Sequence, residues 1–515
     1  MSPTYLSPGV YVEEVDRGTK PIEAVGTAVA AFIGYTEKAE DVRDGVSKSL
    51  LGKPTLVTNW SQYVAKFGGF VKGAYLPDSV YAYFNNGGGR CYVISVKTTG
   101  VASSDDKNAK AAAAALGDGN TLKISAKAAG QAGNDIAVTA TPAPHEEGKE
   151  QTFTLKVSVA GKAAEEFPGL TLKKDSVETV TKTSKLINVE LGTSKAGAVI
   201  PSGSVNLAGG SVSNKPVGLN EYQGSPADRT GLSGLEAIDD VTMLVAPDLM
   251  SAFEAKELDK KGVQGVQQAM IDYCERVRYC FAILDPLPNL NPQEMKDWRM
   301  EVNYDSTRAA MYYPWIEIMD MASGGGKTKF VPPSGFMAGI YARTDETRGV
   351  HKAPANEIVR GAIGLAMVVT KGEQDGLNPI GVNCIRGFPG RGIRVWGART
   401  LSSDPSWRYI NVRRLFSQVE ASIERGTQWA VFEPNDQMLW ARIVRDVSAF
   451  LRLQWRAGAL FGTTPEQAFF VKCDEELNPV EVRDVGQLIC EVGIAPVKPA
   501  EFVIFRISQY AGDAS

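Results

Sequence analysis

The hydrophobic pattern of this chain changes period several times along its length, and each change predicts an element. From Ala28 the run VAAFIGY is continuously apolar, as expected of a strand buried on both faces. Trp60 to Phe67 and Val80 to Phe84 carry helical spacing. After the glycine turn NGGGR, the run CYVISV predicts a second buried strand. Between residues 226 and 355 apolar runs alternate with helical patterns: VTMLVAPDL, a helix from about Lys261 to Val277, RYCFAILDPL, a helix near Pro292 to Glu301, and AAMYYPWIEIMD. That alternation predicts a parallel sheet with helices on its faces.

Farther along, Val412, Leu415, Phe416, Val419 and Ile423 form a core-facing stripe on a helix over 411–426. Asn435 and Asp436 then cap a second helix running to about Ala457. Trp440, Ile443, Val444, Val447, Phe450, Leu451 and Trp455 share one face of it. Arg442, Arg445, Arg452 and Arg456 fall within an arc of roughly 80° on the other side. Such a row is either a solvated face or a partner surface, since arginine favours contacts with carboxylates. Beyond Thr464 and Pro465 the segments AFFVKCD, QLICEVGIAP and EFVIFRI are strand-like, and Phe502 to Ile507 would be an aggregation hazard unless covered. At the other end, residues 4–15 set Tyr5, Val10, Val12 and Val15 among Pro3, Pro8 and Gly9. They can extend, but they bury too little to offset roughly 1–2 kcal/mol of backbone entropy per residue.

Composition isolates a further piece. Between Arg90 and Arg229 there is no arginine, and the only aromatics between residues 101 and 220 are Phe153 and Phe167. The Ala-rich stretch Asn108 to Leu116 suggests a helical lead-in. TLKISA, DIAVTA, TFTLKVSV and INVEL follow as short strands separated by Gly, Pro and Asn, which predicts a β-sandwich-like insertion with its own modest core.

Chemistry adds little to this picture. A net charge of −4, with 22% of residues charged, carries no excess of positive charge for nucleic acid. Cys91, Cys274, Cys280, Cys384, Cys473 and Cys490 are scattered without CxxC spacing, the pattern of reduced buried thiols. His145 and His351 are the only histidines, too few for most histidine-based catalysis or metal binding. Asp248, Asp285 and Asp320 stand at strand ends, where α/β enzymes keep catalytic acids, yet each also sits in a turn that an aspartate would cap. SGGGKTKF (Ser323 to Phe330) ends like a phosphate loop, but Met321 stands where that motif needs its first glycine and VPPSG follows in place of a helix. Gly387, Gly390 and Gly392 run GxxGxG, the reverse of a dinucleotide fingerprint. The N-terminus lacks a secretory pattern, and the longest apolar run falls short of the roughly 20 residues that span a bilayer, so synthesis in the cytoplasm without membrane insertion is expected.

The densest block lies between Gly387 and Ile507: GFPGRGIRVWGART, INVRRLFSQVEASIERGTQWAVFEPND, LWARIVRDVSAFLRLQWRAGALFGTTPEQAFFVKCD and GIAPVKPAEFVIFRI. Position by position it resembles the C-terminal domain of contractile tail sheath proteins. The resemblance extends back through VPPSGFMAGIYARTDETRGVHKAPAN (Val331 to Asn356) and LNPIGVNCIRGFPGRG (Leu377 to Gly392), and reappears in SPGVYVEEV (Ser7 to Val15). Together with the patterning it implies an α/β, overall α+β, multidomain chain: an N-terminal arm (1–20), a middle α/β domain (21–100 and 226–355), an outward β-sandwich-like insertion (101–225), a C-terminal core domain (356–495) and a C-terminal arm strand (496–515).

The resemblance also implies a structural function. Subunits of this family stack as sixfold rings around an inner tube and contract to drive it through an envelope, with baseplate and tail-terminator proteins at the ends and no cofactor or catalysis. Val10, Tyr11 and Val12, and Phe502, Val503, Ile504 and Phe505, are then the strands added to neighbouring copies, while Arg442, Arg445, Arg452 and Arg456 are the expected contact with the tube. Two other readings rest on parts of the sequence: an α/β enzyme, nucleotide-binding or hydrolase-like, on residues 226–355, and a carbohydrate-binding adhesin on the insertion alone.

Overall fold

A computed structural model describes residues 21–43, 46–100, 109–117, 121–144, 150–159, 161–192, 200–212, 217–324 and 326–506. By backbone contacts the chain falls into two units, Gly26–Ser417 with Lys498–Ser515, and Met1–Val25 with Gln418–Val497. The division falls inside the helix Ile410–Gly426.

The larger unit is built on an eight-stranded sheet ordered Gly392–Val395, Val382–Phe388, Ala309–Tyr313, Phe281–Leu284, Met243–Val245, Ala30–Thr36, Cys91–Thr98, Thr55–Val57. Its inner strands pair in parallel and its two edge strands pair antiparallel. Successive side chains enter opposite faces, as strand geometry requires. Ala31, Ile33 and Leu244 join a core with Val263, Met270, Met295 and Trp298, which come from the helices Lys260–Val277 and Pro292–Val302. Ala30, Phe32 and Val245 join another with Tyr63, Val80 and Phe336, from Trp60–Phe67, Leu76–Asn85 and Ser334–Arg348. Trp60–Phe67, Lys260–Val277 and Pro292–Val302 lie where the sequence periods place them, Leu76–Asn85 starts earlier than its period suggested, and Ser334–Arg348 was not marked by any period.

Two of the helices approach more closely than ordinary side chains allow. A Cβ on Gly335 would lie 2.6 Å from the Ser79 Cα, and one on Gly339 would lie 2.6 Å from the Tyr83 carbonyl oxygen. Four residues apart, the two glycines share one face of Ser334–Arg348 and seat it on Leu76–Asn85. Near the far end of that helix, Arg414 and Asp345 form a buried ion pair at 2.5 Å. The Thr27 hydroxyl donates to Asp345, and Arg414 lies over the Tyr341 ring.

The insertion is two antiparallel sheets around a separate core. One is four-stranded (Lys162–Leu170, Phe153–Val159, Ile136–Pro142, Gly203–Asn206) and one three-stranded (Ile187–Leu191, Leu122–Ala129, Ala111–Leu116). Val138, Phe153, Leu155, Val157 and Ile187 are buried between them, with Val177 and Val180 of the helix Lys174–Thr183.

Here one expectation fails. Ala111–Leu116 is a strand paired with Leu122–Ala129, where alanine content suggested a helix. A run this short gains little from helix propensity, because nucleation is costly. Its alanines serve close approach instead: a Cβ on Gly133 would come within 2.9 Å of the Ala112 Cβ, and one on Gly210 within 3.0 Å.

The sheet is assembled from segments on either side of the insertion; buried Asp248 joins them, and buried Asp285 ties a strand end to a helix. Asp248, just past the strand Met243–Val245, accepts hydrogen bonds from the backbone N–H groups of Tyr35 (2.6 Å), Tyr75 (2.5 Å) and Leu76 (3.1 Å) and from the Ser251 hydroxyl (2.7 Å). Asp285, past Phe281–Leu284, accepts from the Ser334 N–H (2.8 Å) and hydroxyl (2.5 Å) and so holds the start of the helix Ser334–Arg348.

Burial pushes the Asp285 carboxyl up to about 7, against the two hydrogen bonds from Ser334. The unfolded chain titrates near 4, so the folded state binds this proton more tightly. The resulting stabilisation is fully present below about pH 4 and is lost as pH rises through the folded value. Asp285→Asn removes the titration while keeping the shape. Urea unfolding at a series of pH values should show the stability of the native chain, relative to this variant, falling between about pH 4 and about pH 7 and constant above. A difference independent of pH contradicts this.

Candidate functional site: arm, sheet edge and arginine stripe

The carboxylates at the strand ends are tied into backbone and neighbouring side chains. Asp248 and Asp285 spend their oxygens as described above. Asp320 caps the turn Met321–Ser323 through the Ala322 N–H and lies 3.3 Å from Lys329. The glycine loop leads into the strand Thr328–Val331, paired with Ile316–Met319, so no helix N-terminus follows GKT. A cleft of about 480 Å³ lies beside Tyr35 and Tyr75, and ion pairs cross its walls. Lys97 meets Glu257 at 2.5 Å, and Lys329 meets Asp78 at 2.7 Å. The Tyr35 hydroxyl donates to Glu257 (3.1 Å) and the Tyr75 hydroxyl to Glu254 (2.7 Å). Among the described residues no group of three or more His, Cys, Asp or Glu side chains is placed to hold a metal ion.

The C-terminal arm is the most exposed apolar segment. Phe502, Val503, Ile504 and Phe505 are 72%, 69%, 78% and 83% exposed and pair with no strand among the described residues. Immediately before them, Glu501 is held by the body. Its carboxylate accepts from Arg399 Nε (2.9 Å) and Nη2 (2.7 Å), Asn378 Nδ2 (2.8 Å) and the Tyr409 hydroxyl (3.0 Å). Burial pushes the Glu501 carboxyl up, but the bonds from Arg399, Asn378 and Tyr409 outweigh it and hold the group below the usual range. Arg399 and Tyr409 are themselves bridged through their backbones, so both donors belong to one rigid corner. Sequence reasoning missed this clamp, because Glu501 lies about a hundred residues from its partners and no local period marks it. Ile507, and Val10, Tyr11 and Val12 of the other arm, lie outside the described residues.

In the smaller unit the helix Gln437–Arg456 is capped by Asp436, whose side chain accepts from the Leu439 N–H; Asn435, expected to share the cap, instead accepts from Trp440 Nε1 (2.8 Å) and donates to the Gln487 carbonyl (2.7 Å). Past it, Phe469–Lys472 and Glu491–Ile494 pair antiparallel as a two-stranded sheet. Neither strand has a further strand partner among the described residues, so both edges present backbone donors and acceptors. The Phe470 ring lies over Gly493, its cross-strand neighbour, where a Cβ would come within 2.1 Å. The ring is nonetheless 52% exposed.

One step beyond the pair Lys472 and Glu491, Cys473 faces Cys490. The Ala495 N–H donates to the Ala468 carbonyl, and counting along the ladder makes 473 and 490 a non-hydrogen-bonded pair, where side chains stand closest. Both cysteines are free, and Cys473 Sγ accepts from Asn478 Nδ2 (3.8 Å). Scattered sequence positions gave no sign of this pairing.

The four arginines of Gln437–Arg456 are not equivalent. Arg442 is half-buried, its guanidinium 4.3 Å from the centre of the Trp429 ring. Arg445 is exposed and pairs with Asp446 (2.9 Å). Arg452 and Arg456 are exposed. Glu466 is held below its usual range chiefly by a hydrogen bond from its own backbone N–H and by the Thr464 side chain, with Arg452 contributing. Near the start of this helix Phe432 is fully exposed with φ 68°, and Met438 is 76% exposed.

Two family models match adjoining parts of the chain: the phage tail sheath protein central domain over residues 234–401, and the phage tail sheath C-terminal domain over residues 402–509. The tail sheath protein of Vibrio phage KVP40 is 25% identical over 336 residues, covering 61% of this chain and 47% of that protein. A putative prophage major tail sheath protein of Pseudomonas aeruginosa is 30% identical over 254 residues, covering 47% of this chain and 61% of that protein. The chain thus spans about half the length of these curated relatives. A solved structure of the PVC sheath complex, an extracellular contractile injection system in the contracted state, superposes with a TM-score of 0.58 at 25% identity over 99% of both chains. With the two models running without a gap across more than half of its residues, the chain belongs to the phage tail sheath protein family.

Proposed function

We propose that this chain is the subunit of a contractile sheath, which polymerises around an inner tube and contracts to drive that tube through a target envelope. The observation that carries the reading is the pairing of needs within one chain: Phe502–Phe505 exposes four large apolar side chains, and the sheet of Phe469–Lys472 and Glu491–Ile494 has no further strand partner among the described residues. Addition of the first to the second in another copy is β-strand augmentation. Burying one such side chain gains about 1.5–3 kcal/mol, against roughly 1–2 kcal/mol to order each residue's backbone, and alternate side chains of an added strand face opposite ways. Burial of one face therefore roughly offsets the ordering of the whole strand, and the backbone bonds to the sheet edge make the exchange favourable. Val10, Tyr11 and Val12 are proposed to pair likewise. Stacked sixfold rings, a baseplate and a tail terminator complete the proposed particle, which is a phage tail or a tail-like injection device. Work then comes from relaxation of a metastable extended lattice.

Ile504→Pro tests the backbone pairing. It removes one N–H and leaves the arm apolar. Sedimentation velocity and negative-stain microscopy should show a folded, soluble subunit with an unchanged melting temperature and no tubes. Tubes of normal length would reject the arm's role.

The exposed edge formed by Arg445, Arg452 and Arg456, continued by Arg442 on Trp429, is the proposed contact with acidic groups on the inner tube. Exposed ion pairs contribute only about 0.2–1 kcal/mol each, weak enough to release together and large when repeated along a filament. Arg445→Glu combined with Arg452→Glu should lower the yield of extended particles and leave contracted sheaths intact. Extended particles of normal yield and salt sensitivity would return the stripe to solvent.

A further inference from the structure

The arm does not leave the body freely. It leaves from Glu501, and the apolar segment begins at the next residue. Four hydrogen bonds converge on this one carboxylate, two of them from a guanidinium that is itself only 10% exposed. The receiving groups are in place independently of the arm. The Arg399 N–H donates to Asn383 Oδ1 (2.7 Å), the Arg399 Nη1 to the Asn378 carbonyl (3.2 Å), and the Thr400 N–H to the Arg408 carbonyl (2.8 Å). Asn383 in turn donates to the Met311 carbonyl, so the corner is fastened to the strand Ala309–Tyr313 of the main sheet. A guanidinium so enclosed is strongly destabilising without a counter-ion, and Glu501 is the carboxylate that meets it.

Upstream of Glu501 the chain is next fixed at Val497, whose N–H donates to the Ala459 carbonyl (3.2 Å). Without the clamp, the arm would gain the extended length of residues 498–501, roughly 3.3 Å per residue. That slack would lower the effective concentration of the strand at any one site and leave its register less defined.

We propose that Arg399, Asn378 and Tyr409 form a built-in receptor for Glu501 that fixes the take-off point of the arm, so that Phe502–Phe505 reaches a second copy of this chain in one register. Glu501 is in this sense a positioning residue for assembly, and the clamp passes tension on the arm directly to the main sheet. The inference rests on the proposed sheath function, but the clamp can be measured in the isolated subunit.

Three variants of the full chain test it. Glu501→Gln removes the charge and keeps the shape. Tyr409→Phe removes one donor and leaves Arg399 paired. The swap Arg399→Glu with Glu501→Arg reverses the pair. The mobility of a nitroxide spin label at position 503 of the unassembled subunit should rise severalfold in Glu501→Gln, and less in Tyr409→Phe, because loss of the clamp frees residues 498–501 to move with the arm. Hydrogen exchange of the body should be unchanged, and the swap should restore part of the label's immobilisation. The concentration needed to form tubes should rise in the same order.

Unchanged label mobility overturns the clamp. Hydrogen exchange accelerated through the whole body, with a fall in melting temperature in both single variants, overturns the positioning role in favour of a merely structural ion pair. Tubes forming at the native concentration while the label is mobile would separate the clamp from assembly and also reject the proposal. If the native chain itself forms no tubes, the sheath reading fails, and label mobility still decides whether Glu501 holds the arm.

Discussion

The structure depends first on how Asp248 closes the main sheet. The strand order places Ala30–Thr36 between Cys91–Thr98 and Met243–Val245, so a segment from before the insertion is flanked on one side by a strand from after it. In parallel α/β sheets a reversal of this kind opens a crevice at the carboxyl ends of the strands, where ligands usually bind. Here Asp248 stands at the reversal, accepting from Tyr35, Tyr75, Leu76 and Ser251 beside the cleft of about 480 Å³. Burial pushes the carboxyl up to about 6, and the four donors offset part of its desolvation. A position that often serves ligands in this fold thus carries the bonds that join the two halves of the sheet. Gly34 leaves room for this, since a Cβ there would lie 2.4 Å from an Asp248 oxygen.

How much of this was legible in the sequence follows from which forces are local. The helix Trp60–Phe67 and the capped helix Gln437–Arg456 were legible because period and capping are written in adjacent residues. The insertion was legible from composition. Ala111–Leu116 was misread because propensity competes with tertiary packing, and there the small size of alanine, set against Gly133 and Gly210, decides the conformation.

The clamp on Glu501, the buried pair of Arg414 with Asp345 and the cross-strand Cys473 and Cys490 were not legible. Each depends on residues brought together by the fold, and a buried arginine has the same sequence signature as an exposed one. The arginine stripe was legible as a helical face. Its division into a stacked Arg442, an ion-paired Arg445 and the exposed Arg452 and Arg456 was not, because Trp429 belongs to the preceding loop.

Rigid body, held root and free strand together describe a subunit whose strongest unmet need lies outside itself. Among the described residues nothing covers Phe502–Phe505 or adds a strand to the two-stranded sheet, while the residue between arm and body is among the best hydrogen-bonded carboxylates. The most direct measurement is a helical reconstruction by electron cryo-microscopy of assembled particles, at a resolution that traces the main chain. The account predicts residues 502–505 as a strand added to the sheet of Phe469–Lys472 and Glu491–Ile494 in an adjacent copy, with Glu501 still seated on Arg399. An assembly in which the arm folds back on its own subunit, or in which that sheet keeps only its two strands, would contradict it.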